Sequence, residues 1–378
     1  MKKISAALLS MFSLVACNSG GGSSSVFPPP PTPINLVGPN GLYKCLPDLS
    51  SVNSINSNLK IAYGNNCLVE NTSNLSLRDS LESMAVAITL SNGRSYCTGT
   101  PLSYNENTGV GYILSAAHCF VAGSAKAPNQ EVVPSTITTF TKTDGVLHIN
   151  YINQTLNANG ESGTTTGKIT AVYIPKRYCQ VPYMTRSEGC SDLTQQDGDI
   201  ALLKVSLDKG QSLRYNPLVK PATQGLSIPF ADYIIALGYG DINSSNGTIT
   251  NKRLYYITYQ YFNQNSYQGQ FGKSVIFNGY FLNNRYYSII CRGDSGGGDF
   301  YWDGTHWNLV GIHSYGLKAS CGMNNVAYSW AYDASTDVRP FTTYLQNIMN
   351  TDTAAGGCNN GVAANNKFIC ADSSTELN

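Results

Sequence analysis

At 378 residues the chain exceeds one average domain, but β folds of roughly 200–250 residues often form a single unit, so its length suits one large domain with appendages. Charged residues make up 12% of it, against about 25% in ordinary globular chains. With 36 glycines and 25 tyrosines beside many Asn, Ser and Thr, this is the composition of an exported β protein, and a net charge of +1 without any dense Lys/Arg run excludes nucleic acid as an expected partner.

The N-terminus reads as an export signal. Met1-Lys2-Lys3 is basic and Ile4 to Ala16 is apolar, a segment too short to span a bilayer, so residues 1–16 are assigned to a signal peptide. Leu14-Val15-Ala16-Cys17 resembles a bacterial lipoprotein box, which implies acylation of Cys17 and a membrane anchor. Asn18 then resembles sorting to the outer membrane or cell surface of a bacterium. Ordinary cleavage beside an unmodified Cys17 is the alternative and would release the protein. Residues 17–40, Gly/Ser-rich and then Pro-rich, form a flexible and then extended tether. Residues 41–80 are polar, with Cys45 and Cys67 as a staple, and read as an N-terminal extension or pro-region packed on the main body of the protein.

Strand patterns begin at Met84–Leu90. Asn92-Gly93 makes a hairpin turn and Ser95–Ser103 the return strand. Ile113-Leu114-Ser115-Ala116-Ala117-His118-Cys119 then offers a histidine behind a run of small residues. The stretch from Cys179 to Cys190 reads as a surface loop. Asp197-Gly198-Asp199-Ile200-Ala201-Leu202-Leu203 places a carboxylate at the head of an apolar strand. The aromatic run Tyr255–Phe262 is a further strand; its tyrosines suit sheet packing better than a stacking platform for bases or sugars. Cys291-Arg292-Gly293-Asp294-Ser295-Gly296-Gly297-Gly298 sets one hydroxyl between an acid and a glycine run. Arg339–Met349 has helical spacing, and residues 351–378 read as a Gly/Asn-rich loop stapled by cysteines.

These residue types serve one chemistry. A serine hydroxyl attacks a carbonyl only beside a general base, and the developing oxyanion needs N–H donors, which a glycine turn can aim into one cavity. The order His, Asp, Ser is that of the chymotrypsin template rather than of subtilisin or the α/β-hydrolases. Together with Cys97-Thr98-Gly99-Thr100, Ala236-Leu237-Gly238-Tyr239-Gly240 and Val310-Gly311-Ile312-His313-Ser314-Tyr315-Gly316, the three motifs resemble the trypsin/chymotrypsin family of serine endopeptidases from about Leu81 to Met349.

The resemblance implies an all-β fold of two six-stranded antiparallel β-barrels of the chymotrypsin type with a short C-terminal helix, within a protease domain over residues 81–350 followed by a disulfide-stapled tail over 351–378. It implies His118, Asp199 and Ser295 as the catalytic residues and the Gly293 and Ser295 amides as the oxyanion hole. It implies disulfides Cys97–Cys119 and Cys291–Cys321, leaving Cys45–Cys67, Cys179–Cys190 and Cys358–Cys370 to pair locally, ten cysteines once Cys17 is set aside. No CxxC pair or His cluster accompanies them, so no metal and no cofactor is expected. The partners expected are protein or peptide substrates, acted on by a monomer.

Specificity stays open between two readings. Ile289 stands where Arg/Lys-cleaving relatives carry an aspartate, and an apolar floor cannot offset the desolvation of a substrate cation. Arg292 and Ser314, Tyr315 and Gly316 line the implied pocket. His313 resembles the histidine with which bacterial glutamyl endopeptidases bind acidic side chains, so the acyl-side residue is apolar or acidic. The family's Ile/Val-Val-Gly-Gly terminus, whose amine pairs with the aspartate before the nucleophile, is missing between residues 60 and 85. Asp294 is expected to find another support, with Arg78, Lys60 or a terminus made by cutting at a different sequence as candidates. The rival to an enzyme is a catalytically silent binding or adhesin module.

Overall fold

The computed structural model describes residues 68–73, 75–90, 95–121, 151–154, 165–176, 178, 198–229, 232–240, 253–260, 275–278, 280–282, 285–287, 290–315, 333–354, 356–359 and 368–372. The signal and tether, Cys17, Cys45, Lys60, Cys67, Cys179, Cys190, Ile289, Gly316 and Cys321 lie outside the described residues.

The first half closes on itself. Its strands are β1 (Val86–Thr89), β2 (Ser95–Asn105), β3 (Val110–Ser115), β4 (Tyr151–Gln154), β5 (Thr165–Pro175) and β6 (Ala201–Leu207). Antiparallel pairing runs β1-β2-β3-β6-β5-β4 and returns to β1, a closed six-stranded barrel without free edges. Closure explains the composition of β1, whose Val-Ala-Ile-Thr run is buried at every position and bonded on both sides. The predicted hairpin strands Met84–Leu90 and Ser95–Ser103 correspond to β1 and β2.

The second half is built from β7 (Val219–Pro221), β8 (Tyr233–Gly238), β9 (Tyr255–Gln260), β10 (Val275–Asn278), β11 (Tyr280–Leu282), β12 (Arg285–Tyr287), β13 (Gly298–Trp302), β14 (Trp307–Tyr315) and β15 (Asp333–Asp337). Six of these form an antiparallel sheet in the order β10-β15-β14-β13-β8-β9, with β7 lying parallel to β14 and β11-β12 forming a separate ribbon. Among the described residues β9 and β10 are not paired to each other. This is the chymotrypsin-type arrangement, all-β with a short C-terminal helix. That helix runs Thr342–Thr351 and buries Thr342, Leu345 and Ile348 on one face.

Two appendages complete the fold. The end of the polar extension packs into the core. Leu68 bridges to Tyr255, the Val69 N–H donates to the Leu254 carbonyl, and the helix Leu75–Glu82 buries Leu77 and Leu81 on one side. Each such leucine contributes about 1.5–3 kcal/mol by leaving water. Arg78 serves this helix: its Nε donates to Glu82 Oε1 at 2.8 Å and a terminal nitrogen to the Glu70 carbonyl, so the expectation that it supports Asp294 is corrected.

The C-terminal tail, read as a loop, contains β16 (Phe368–Asp372), which pairs antiparallel with the Ala171–Pro175 half of β5. β4 pairs with the other half, so the tail continues the edge that β4 begins. The Cys358–Cys370 disulfide ties β16 to the segment that follows the helix. Beneath it Lys204 of β6 is wholly buried, with Nζ 2.8 Å from Asp352 Oδ1 and 3.0 Å from the Gly357 carbonyl. The Tyr173 hydroxyl donates to the Asp352 carboxylate and the Tyr112 hydroxyl to its carbonyl. A buried charge needs such pairing, which is how β6 tolerates a lysine inside an apolar run.

Candidate active site

The histidine is set by the end of β3. Ser115, Ala116 and Ala117 are fully buried small residues, so the chain can turn tightly into the 3-10 turn Ala117–Cys119. The Cys97–Cys119 disulfide ties that turn to β2. Cys97, Cys119 and His118 lie within 4.8 Å of one another, but the two sulfurs are bonded together and offer no thiolate to a metal.

Asp199 enters from the head of β6. Gly198 before it lies against Phe341 and Thr336, where an added Cβ would come within 2.5 Å of the Phe341 ring, and Thr336 Oγ1 donates to the Asp199 carbonyl at 3.1 Å. The second half of the molecule thus holds an aspartate that belongs to the first. Its carboxylate grips His118 twice: the main-chain N–H donates to Oδ1 at 2.9 Å and ring Nδ1 faces Oδ2 at 2.7 Å. Ser314 Oγ also donates to Oδ2, and burial beside the same carboxylate pushes the Tyr178 hydroxyl pKa up. Facing a carboxylate, Nδ1 carries the hydrogen and Nε2 keeps its lone pair.

Charge and burial oppose each other here. Burial disfavours the imidazolium, but the charge of Asp199 and its hydrogen bond outweigh burial, and the His118 pKa is raised. Burial likewise disfavours the carboxylate, yet His118, Ser314 and the His118 amide hold the Asp199 pKa below its ordinary value. The outcome is an ionised aspartate beside a ring biased toward holding a second proton.

The serine sits in a turn that begins with Cys291, which is disulfide-bonded. Gly293 and Gly296 adopt left-handed φ values of 99° and 84°, where glycine is favoured. At Gly296 a Cβ would meet Ser115 Oγ at 2.1 Å and the Thr98 carbonyl at 2.3 Å, so the Ser295 loop presses onto the elements that carry His118. The Cys119 sulfur lies 3.9 Å from the Ser295 carbonyl oxygen. Ser295 is partly exposed. Among the described residues nothing accepts from the Gly293 or Ser295 N–H, and no hydrogen bond engages Ser295 Oγ or His118 Nε2. Two amides, one hydroxyl and one basic nitrogen are therefore uncommitted.

Asp294 is buried behind this turn. Its Oδ1 accepts from Gly240 N–H at 2.6 Å and its Oδ2 from Cys291 N–H at 2.7 Å. Added Cβ atoms at Gly238 or Gly240 would fall 2.0–2.4 Å from its carboxylate, so the Gly238-Tyr239-Gly240 segment forms its cradle.

Of the predicted pocket residues, Arg292 is exposed and Tyr315 closes β14 opposite Ala334. Ser314 serves Asp199. His313 is buried, with Nε2 2.9 Å from Asp299 Oδ1 and Nδ1 3.2 Å from the Asp294 carbonyl. Burial works against its charged form, but Asp299 and then Asp294 outweigh it and raise its pKa. Sequence reasoning missed Thr98, Tyr178, Asp299 and Thr336. Thr98 stood in a quoted motif without a role, and the others carried no local signal.

The sequence model described as Trypsin matches residues 78–343, while no curated protein matches the chain. That match takes in both halves and every residue of the His118, Asp199 and Ser295 motifs, so the chain belongs to the trypsin family of serine peptidases.

Proposed function

We propose that the protein is a serine endopeptidase whose catalytic triad is His118, Asp199 and Ser295, with the Gly293 and Ser295 amides as its oxyanion hole. The observation that carries this reading is the double grip of Asp199 on His118, which leaves Nε2 as a base beside a loop with an unbonded hydroxyl and two unbonded amides. Nε2 accepts the Ser295 proton as Oγ bonds to the peptide carbonyl carbon, whose oxygen takes the negative charge. The imidazolium returns that proton to the departing amine as the C–N bond breaks. Water then repeats the two steps on the acyl-enzyme and regenerates Ser295.

For specificity we infer an apolar residue on the acyl side of the cleaved bond. Both His313 nitrogens face acceptors of the protein itself, and the Asp299 carboxylate behind the ring would repel a substrate carboxylate. Cleavage of a peptide library mainly after Glu or Asp would overturn this. We further propose export and lipid anchoring at Cys17 on a bacterial outer membrane or cell surface, checked by detergent-phase partitioning that Cys17→Ser should abolish. A fluorophosphonate probe tests the central reading: the protein labels and Ser295→Ala does not. A folded, unlabelled wild type would favour the silent binding module instead.

A further inference from the structure

We propose that the Thr98 side chain is a positioning residue for the oxyanion hole, locking the Gly293–Asp294 unit so that the Gly293 amide stays turned toward the substrate. The inference rests on the serine-endopeptidase reading and adds to it a residue with no part in the triad.

Thr98 is fully buried in β2 of the first barrel, and its hydroxyl is used at both ends. Oγ1 donates to the Gly293 carbonyl at 2.8 Å and accepts from the Tyr239 N–H at 3.0 Å. An amide N–H can only donate, so the Thr98 hydrogen has no choice but the Gly293 oxygen. The Thr98 N–H donates to the Ser295 carbonyl at 2.8 Å, and its own carbonyl accepts from Ser115 Oγ at 2.8 Å. One residue thereby joins three parts of the site: the barrel that carries His118, the loop that carries Ser295, and the glycine segment that cradles Asp294.

The need for such a clamp follows from Gly293. A glycine at φ 99° can leave that conformation at little cost, because no Cβ restrains it. If its carbonyl swings, the Asp294 N–H in the same rigid peptide plane leaves the Cys291 carbonyl, and the turn no longer holds the flanking Gly293 and Ser295 amides in place. Asp294, one residue on, is fixed by the Gly240 and Cys291 amides, and Gly240 adjoins the Tyr239 whose N–H meets Thr98. The carboxylate and the hydroxyl therefore brace successive units of one loop against one segment. The main-chain bonds of Thr98 would survive in any residue; the hydroxyl bonds are specific to Thr or Ser.

Thr98→Val removes the hydroxyl while keeping the branched shape, and Thr98→Ser restores it. With a peptide amide substrate, T98V should lose about 10- to 100-fold in kcat, less than the 10²–10³-fold of deleting a donor outright, while KM moves less than about 3-fold. Its affinity for a peptide aldehyde, which reproduces the oxyanion, should fall by the same factor as kcat/KM. T98S should recover most of both. Folded T98V with wild-type kcat overturns the inference, as does a loss that T98S shares equally or one that appears in KM alone. If T98V does not fold, Thr98→Cys, a weak donor of similar size, replaces it; an intermediate rate supports the role and a wild-type rate overturns it. A wild type that neither cleaves peptides nor labels at Ser295 takes down the peptidase reading and this inference together. An active wild type with an equally active T98V takes down this inference alone.

Discussion

Replacing Asp199 by asparagine should lower turnover about 10⁴-fold, and the geometry says why an isosteric amide is so damaging. The carboxylate accepts from the His118 main chain on Oδ1 and from His118 Nδ1 and Ser314 on Oδ2. An amide has one oxygen, so one of the two sides must confront an NH₂. The main-chain N–H cannot change its character, whereas hydroxyls rotate and imidazole can move its hydrogen. The amide will thus turn its oxygen to the main chain and its NH₂ to the ring. Nδ1 becomes the acceptor, Nε2 acquires the hydrogen, and the base facing Ser295 is gone. A 10⁴-fold loss corresponds to about 5.4 kcal/mol of activation free energy, at about 1.36 per decade. The acid limb of kcat/KM is the second readout. His118 must be neutral to act, and Asp199 raises its pKa despite burial, so wild-type activity should rise with pH through a value above the ordinary histidine pKa. In Asp199→Asn burial remains and the raising charge is lost, so the limb should move to lower pH. Asp199→Asn within tenfold of wild type, or an unmoved limb, would refute the reasoning.

Other perturbations separate site from scaffold. Ser314→Ala removes one of the donors to Asp199 and should cost roughly tenfold in kcat together with about 1.5–3 kcal/mol of stability, the contribution of a hydrogen bond to a charged group; steady-state kinetics beside a thermal melt checks both. Gly240→Ala would place a Cβ 2.4 Å from the Asp294 carboxylate, so activity should fall well before stability does, read as the fraction of enzyme titrated by fluorophosphonate. Asp352→Ala leaves Lys204 buried and uncompensated, a loss of about 3–5 kcal/mol by chemical denaturation. Adding Lys204→Met to Asp352→Ala should recover much of that loss, because the stranded charge is gone.

What the sequence made legible is what chemistry restricts to short runs. A base, a nucleophile and its glycine turn need particular residue types at fixed neighbours, so Ala116-Ala117-His118-Cys119 and Gly293-Asp294-Ser295-Gly296 could be found without coordinates. Strands such as β1 and β9 were legible because their β-favouring runs end at turn residues. The supports were hidden because each is a pairing across the fold. Thr98 meets Gly293 from 195 positions away and Thr336 meets Asp199 from 137, and neither threonine differs locally from an ordinary strand residue. Composition hid the rest: Leu77 lies at the end of an Asn/Ser-rich segment and Phe368–Asp372 in a Gly/Asn-rich one, so neither the helix Leu75–Glu82 nor the edge strand was marked.

Lys204 was the one local contradiction that could have exposed the tail. A lysine inside Ala-Leu-Leu-Lys-Val cannot stay buried without a carboxylate to pair with it. Asp352 follows the C-terminal helix at once, as it must if that helix is to end over β6. Further along, Phe368–Asp372 lies along the first barrel, on the edge of the Ala171–Pro175 half of β5 that β4 does not reach. The charge inside the strand and the added strand outside it are therefore two consequences of a single packing decision, and a residue that breaks the local pattern marks where a distant segment returns.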